Sequence, residues 1–391
     1  MPFSGKATYT AGSTLPELME DVSDLVSLVS PYETPLLDAL GDAGKEAQST
    51  LHEWLEDELL PNIDTINQTT FTPSATTATA IIVGNIGRFR VGDLVRPPIG
   101  RELMLVMAIN TGTSTMTVTR AYGGTPAVSL SNTMKLTIIG NAALEGDDRP
   151  DPRSTNRLRK RNYTQIFTAA VEVSGSMLAA RRHGAGDELD MQKANRLREL
   201  LRDLENTAIN GVSSIANPQG NASTRRTMSG IIANINSGNQ FTVNTGVIPA
   251  GSGAGNTDLN EAVLNAAMRQ VWENSSAQLD IIVVPAALKR RINNFYASAR
   301  QAPVTQKSFT DLIDVYQSDF GTARVIVSRW MPADTMLLLD SSRIELLPLA
   351  GRTLGYKPQA STGDRDSGLI VGEYTLEMRN DTAHGLVRGL T

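Results

Sequence analysis

Few residues in this chain are arranged for chemistry. It has three histidines, His52, His183 and His384, and none stands at the short helical spacing that brings two imidazoles onto one zinc ion. A surface or capping role is expected for each. The chain has no cysteine, which excludes disulfides, thiol nucleophiles and thiolate metal sites. Gly251-Ser252-Gly253-Ala254-Gly255 has the composition of a phosphate-cradling loop. No Lys-Ser/Thr follows it and no clear strand precedes it, so it reads as a flexible linker. No serine stands in a G-x-S-x-G elbow. Asp147-Asp148 and Asp364-Arg365-Asp366 lack the ordered oxygen spacing of a calcium loop. The basic clusters Arg181-Arg182, Arg225-Arg226 and Lys289-Arg290-Arg291 could touch nucleic acid, but at a formal net charge of -5 acidic protein neighbours suit them equally. The expectation is a non-enzymatic protein with no catalytic, cofactor-binding or metal site.

What, then, do the elements position? The longest is a helix expected over residues 187–210. Asp187 caps it, Glu188 sits in the favourable first turn, and Gly211 supplies a left-handed stop. At 100° per residue, Leu189, Ala194, Leu197, Leu200, Leu201, Leu204 and Ala208 fall within an arc of about 140°, so Leu197, Leu200, Leu201 and Leu204 are expected to form its core stripe. Arg202 has Glu199 and Glu205 three residues away on either side, while Arg198/Arg202 and Glu199/Asp203 are like-charge pairs four apart. These charges either meet partners from elsewhere or form a solvated face.

At 391 residues, 40% hydrophobic and 20% charged, the chain has room for two or three domains and a substantial core. It contains no apolar run of spanning length and no apolar signal core, and a dedicated nucleic-acid binder would be clearly basic. Residues 1–50 read as an arm with helical turns at Pro16–Val22, followed by extended or turn structure between Pro31 and Pro35. Residues 51–71 run outward. Their first part, Leu51–Leu60, is a strand or short helix carrying Glu53, Glu56, Asp57 and Glu58. From 72 to 145 short β-rich runs at Thr77–Val83, Arg101–Ile109, Thr115–Ala121 and Met134–Ile139 alternate with turn clusters, implying a small barrel or sandwich. Residues 146–175 return through the basic run Arg157, Arg159, Lys160 and Arg161 and a strand at Asn162–Val173. The acidic and basic limbs are expected to pair, either within one chain or across subunits.

Residues 217–255 read as loops around small strands. Thr257-Asp258 then caps a helix, Asp280–Val284 is a buried strand, and Pro285 opens a helix over Ala286–Ala299. Strands follow at Leu312–Tyr316, Arg324–Ser328, Thr335–Leu339, Ile344–Leu347 and Gly368–Met378. The class is α+β, with helices covering a sheet.

In order and spacing the chain resembles the major capsid proteins of tailed bacteriophages with the Hong Kong phage-type fold and a β-rich insertion. The resemblance runs through Ser30-Pro31-Tyr32-Glu33-Thr34-Pro35-Leu36, Glu53-Trp54, Asn162-Tyr163-Thr164-Gln165-Ile166-Phe167, Val173-Ser174-Gly175 and Asp203-Leu204-Glu205. It continues with Met228-Ser229-Gly230-Ile231, Val283-Val284-Pro285, Phe320-Gly321-Thr322, Arg329-Trp330-Met331-Pro332, Thr362-Gly363-Asp364 and Glu373-Tyr374-Thr375-Leu376-Glu377. No one piece is specific; their joint order is. The resemblance implies an N-terminal arm (1–50), an extended loop (51–71 and 146–175) around the insertion (72–145), and a peripheral domain (176–256) built on the spine helix. It also implies an axial domain (257–350) and C-terminal strands (351–391) returning to the peripheral domain.

The implied function is self-assembly, through hexamers and pentamers, into the icosahedral head around double-stranded DNA held without sequence specificity. Portal, decoration and separate scaffolding proteins are the implied further partners, since no long charged helical segment precedes the arm. The virion is the implied location, after assembly in the bacterial cytoplasm and without a membrane. Some capsids of this fold weld subunits through a loop lysine. Of eight lysines here only Lys135 and Lys160 lie in the excursion, and a non-covalent shell is expected. Two other readings are a cellular nanocompartment shell of the same fold and a polysaccharide-binding phage protein. Against the latter, residues 72–144 hold only Phe89 and Tyr122 as aromatics.

Overall fold

The computed structural model describes residues 33–41, 44–146, 153, 155, 157–179, 188–295, 315–360 and 363–391. The helical turns expected at Pro16–Val22, the Asp187 cap, His183, Asp147-Asp148 and Arg181-Arg182 lie outside them. The chain divides into two compact units, one of residues 1–54 with 159–391, the other of residues 55–158.

The first unit opens with α1 (Pro35–Leu40), directly after the non-helical Glu33-Thr34. Pro35 takes the first helical position, where its fixed φ is pre-organised and its missing N–H is no loss. Leu36 is fully buried. After β1 (Leu51–Glu56) the chain enters the second unit.

There, β2 (Ile63–Thr65), β3 (Ala80–Ile82), β4 (Asp93–Arg96), β5 (Met104–Asn110), β6 (Thr115–Thr119) and β7 (Lys135–Asn141) form a sheet in the order β2-β7-β4-β5-β6-β3. Asn67 N–H donates to Ile82 O at 2.9 Å and Gly84 N–H to Thr65 O at 2.9 Å, which joins the two edge strands and closes the sheet into a barrel. Closure removes the exposed edges of an open sheet. Ile66, Ile81, Val95, Met104, Val106, Met116 and Leu136 fill the interior. The sequence reading missed β2 and β4, the first only three residues long and the second interrupted by Asp93 and Arg96. Its left boundary at Thr72 cuts off a strand the barrel needs. A second internal support is Glu102, fully buried, which Arg120 meets with two hydrogen bonds of 2.6 and 2.8 Å. Burial alone would push this carboxyl up. The Arg120 bonds and the Val128 and Ala121 N–H donors outweigh it, leaving Glu102 below the ordinary carboxylate range.

The chain returns along β8 (Leu158–Tyr163), which pairs with β1 in a two-stranded ribbon, and continues into β9 (Gln165–Ser174) and α2 (Gly175–Ala179). The long helix α3 spans Glu188–Asn210. Its buried residues are Leu200, Leu204, Glu205, Ala208 and Ile209. Leu201 is half-buried and Leu197 is 37% exposed, so the expected core stripe is corrected. Leu197 points to the same side as Leu200 and Leu204 but lies one turn nearer the N-terminus, before the stretch of helix whose side chains are buried. Periodicity reports the angle of a face, not how far along the axis it is covered.

Gly211 ends the helix without left-handed backbone, correcting a second expectation. A Cβ there would lie 2.8 Å from Met228 O, and one on Gly230 would lie 2.7 Å from Gly211 N. Gly230 N–H bonds Gly211 O at 2.9 Å, so the two glycines allow two backbones to cross in contact.

α4 (Ile231–Asn234) and β10 (Gln240–Thr242) follow. Then comes α5 (Glu261–Asn274), capped not by Thr257-Asp258 but by Asn260, whose Oδ1 accepts from Val263 N–H at 2.9 Å. The remaining elements are β11 (Ile281–Val284), α6 (Ala286–Asn294), β12 (Val315–Ser318), β13 (Gly321–Val327), β14 (Met336–Leu339), β15 (Ile344–Pro348), β16 (Gly355–Pro358), β17 (Arg365–Met378) and β18 (Gly385–Arg388).

Two sheets organise this unit. One has the order β10-β18-β14-β11-β13-β12 and is covered by α5 and α6 around Val263, Ala267, Met268, Leu288 and Leu338. In the other, β17 pairs with β9, β15 and β16, and α3 packs on it through Leu200, Leu204, Phe167, Val171 and Ile370. The sheets do not follow the chain segments expected from sequence. β10 and β18 join the strands of 281–339, whereas β15 leaves them for β17.

Candidate functional site

The charged limbs meet in the β1–β8 ribbon, though not in the pattern expected. Arg159 Nη1 lies 3.6 Å from Glu53 Oε2, and Arg157 Nε lies 3.9 Å from Asp57 Oδ2. Both pairs are exposed, so each contributes on the order of 0–1 kcal/mol. Lys160 Nζ lies 2.8 Å from Asp381 Oδ2, a carboxylate outside the acidic limb. Glu56 is half-buried, and Glu58 and Arg161 are exposed.

The root of the ribbon is held more firmly than its charges. Asn162, buried, donates from Nδ2 to Ser229 O at 2.9 Å and to Leu376 O at 2.8 Å. Its Oδ1 accepts the N–H groups of Ser229 and Tyr163. All four hydrogen-bonding positions of the amide are filled. Thr164 Oγ1 and Arg226 both bond Glu373 Oε1, and Arg352 Nε lies 3.0 Å from Glu373 Oε2. On the facing strand, His52 Nε2 meets Glu377 Oε2 at 2.8 Å. Asn162 and Glu373 thus hold the start of the return strand through buried hydrogen bonds, since any alternative would strand a desolvated group. In the sequence Asn162, Glu373 and Glu377 stand only among the landmarks of the family resemblance. One signal was available: Glu373, Thr375 and Glu377 share one face of an otherwise apolar strand, a pattern that demands partners.

A third anchor involves Glu205. Three residues from Arg202 in sequence, it is fully buried. Its Oε1 accepts from Ser328 Oγ at 2.9 Å and its Oε2 from Leu36 N–H at 3.2 Å, with Leu37 N–H at 3.4 Å. Burial pushes this carboxyl above the ordinary range, opposed in part by Ser328 and the two N–H donors and reinforced by Asp38. Arg202 lies beside Asp203 at 3.3 Å.

His384 is buried rather than at the surface, its Nδ1 accepting from Asp340 N–H at 3.3 Å. Burial lowers its pKa to about 4, against the pull of Asp340 and the Arg379 carbonyl. Gly251–Gly255 is a closed turn, not a linker: Ser252 bridges Asp258, and Asp258 meets Arg291 at 3.0 Å. Among the described residues no three His, Asp or Glu side chains cluster as a metal would require, and no helix is long and apolar enough to cross a membrane. What the surface offers is contact. Leu55, Leu59 and Leu158, at the outer end of the ribbon, are 63, 90 and 57% exposed.

A family model described as SU10 major capsid protein matches residues 4–391. The chain superposes on the capsid of a native GTA particle with a TM-score of 0.54 and 9% identity, over 99% of this chain and 100% of that one. The structure from Microbacterium phage Oxtober96 gives a TM-score of 0.52 at 12% identity, with 98% and 99% covered. The capsid of Myoviridae phage XM1 gives 0.51 at 10%, with 95% and 97% covered. Identities this low speak for the fold alone, and that fold is the Hong Kong phage-type capsid fold. No curated protein matched the sequence.

Proposed function

The chain belongs to the SU10 major capsid protein family and forms the icosahedral capsid of a tailed phage; from that membership we propose how its parts build the shell. Of the three functional readings, the phage shell is the one this family selects. The sheet carrying α5 and α6 gathers at the centres of hexamers and pentamers, and the sheet beneath α3 forms the periphery with α3 as its spine. Residues 1–50 act as an arm. Residues 51–71 and 146–175 form a loop that overlaps a neighbouring subunit and carries the barrel at its end.

The observation that supports this most is the exposure of Leu55, Leu59 and Leu158 in a single chain. A neighbour removes that apolar surface from water, at roughly 25 cal/mol per Å2. The shell encloses double-stranded DNA without reading its sequence, and a net charge of -5 suits a wall that must not adhere to its cargo. Portal, scaffolding and decoration functions fall to other proteins, assembly takes place in the bacterial cytoplasm, and no step needs a catalytic group. Light scattering on a sizing column, followed by negative-stain microscopy, is expected to find capsomers or shells. A stable monomer across micromolar concentrations would refute this reading. The shell is non-covalent, Lys160 being engaged with Asp381. Boiled, reduced particles run as one band, and a surviving ladder would overturn that.

A further inference from the structure

Two unpaired, opposite charges stand beside exposed apolar residues in the unit formed by residues 55–158. The first is Glu58. Asp57 and Glu53 have ribbon partners, but no cation lies within 4 Å of the Glu58 carboxylate among the described residues. Its neighbour Leu59 is the most exposed leucine of the chain's described residues, at 90%. The second is Arg90. Its guanidinium has no carboxylate within 4 Å among the described residues, and its neighbour Val91 is 59% exposed.

The Arg90-Val91 turn is rigid. Arg90 N–H bonds Asp93 Oδ2 at 2.7 Å, Asp93 N–H returns to Arg90 O at 3.2 Å, and Asn141 Nδ2 holds Val91 O at 3.1 Å. Positive charge is concentrated there. Arg153 reaches the carbonyls of Arg88 and Phe89, and burial together with the charge of Arg90 weakens its hold on its own proton against the opposing pull of Asp93. Arg88 is already committed to Asp64 at 3.2 Å. Three arginines, Arg88, Arg90 and Arg153, stand here with two carboxylates, Asp64 and Asp93, which leaves one positive charge over beside an apolar side chain.

We infer that this turn receives the Glu58-Leu59 tip of the outward limb from a second copy of the chain, Glu58 meeting Arg90 and Leu59 covering Val91. The occupant comes from another copy because within one chain both leucine and valine stand in solvent. Charge complementarity selects the limb tip. It pairs an acidic residue with an adjacent exposed apolar one, in the same order as the basic and apolar pair that receives it. The contact is heterologous: one patch of a subunit meets a different patch of the next, which generates rings and closed shells rather than twofold dimers. The inference rests on the shell reading and adds to it the residues through which neighbouring copies interlock.

The absence of native cysteine makes a direct test clean. Leu59→Cys and Val91→Cys are combined in the full-length chain, shells are assembled under reducing conditions and then oxidised, and the product is run on a non-reducing gel. The expected result is a ladder of disulfide-linked chains from the double variant, dispersed by reductant, with single variants running as monomers. Shells of the double variant that yield only monomers would overturn the inference while leaving the shell reading intact. Failure of the unmodified chain to form shells would instead count against the shell reading. If the double variant itself forms no shells, a charge exchange decides. Glu58→Arg and Arg90→Glu are each expected to raise the concentration needed for assembly about tenfold, and together to restore it at least partly. An absence of restoration overturns the contact.

Discussion

Acid should weaken this protein through one buried side chain. His384 has no exposed surface, and burial lowers its pKa to about 4 from an ordinary 6.5. The facing charges divide: Asp340 and Asp381 favour the imidazolium, and Arg343 opposes it. Because the folded value is depressed, the unfolded chain takes up the proton first as pH falls below 6.5. Stability is therefore lost between pH 6.5 and 4 and levels off below. The full loss is roughly 3.4 kcal/mol, and about 2 kcal/mol is gone by pH 5. The perturbation is His384→Asn, whose side-chain oxygen can still accept the Asp340 N–H but cannot titrate. The smaller side chain leaves space, so the variant is less stable at pH 7. Its deficit should shrink by about 2 kcal/mol at pH 5, since only the wild type pays the protonation penalty there. Urea unfolding at both pH values, with protein concentration held constant because assembly contributes to stability, measures the difference. An equal deficit at pH 7 and pH 5, or a His384 ring resonance titrating near 6.5, would refute the reasoning.

Three further outcomes are expected. Removing the Glu205 carboxylate by Glu205→Ala strands the Leu36 N–H and the Ser328 hydroxyl. It should destabilise the protein by roughly 3 kcal/mol in urea melts and open the chain near Pro35 to protease; a loss under about 0.5 kcal/mol would mean the anchor is dispensable. A fragment of residues 55–158 should give dispersed amide NMR signals, whereas residues 72–144, which lack β2, should not; equal dispersion would show that closure through β2 is unnecessary. Reversing Glu53 and Asp57 to lysine should impair assembly, and reversing Arg159 and Arg157 to glutamate as well should partly rescue it. Single reversals should each change stability by no more than about 1 kcal/mol, and particle yield that fails to recover in the fourfold variant would count against limb pairing.

The sequence by itself determined the features carried by local pattern. A 3.6-residue apolar period marks α3, whose last residue is Asn210, and continuous apolar runs mark β11 and β14. The order of many short landmarks pointed to the capsid family that the match over residues 4–391 establishes. Only the tertiary structure decided which segments meet. Strand pairing is non-local, so nothing in Gly385–Arg388 announces that it lies between β10 and β14, or in Ile344–Pro348 that it pairs with β17. Barrel closure depends on Ile63–Thr65, too short to carry a period. The largest misreadings were polar residues. Sequence neighbours say little of Glu205 or His384, since a charge or imidazole takes its role from what surrounds it in space. Glu205 went inside because Ser328 and the first turn of α1, well over a hundred residues away along the chain, supply the donors that make burial of a carboxyl tolerable.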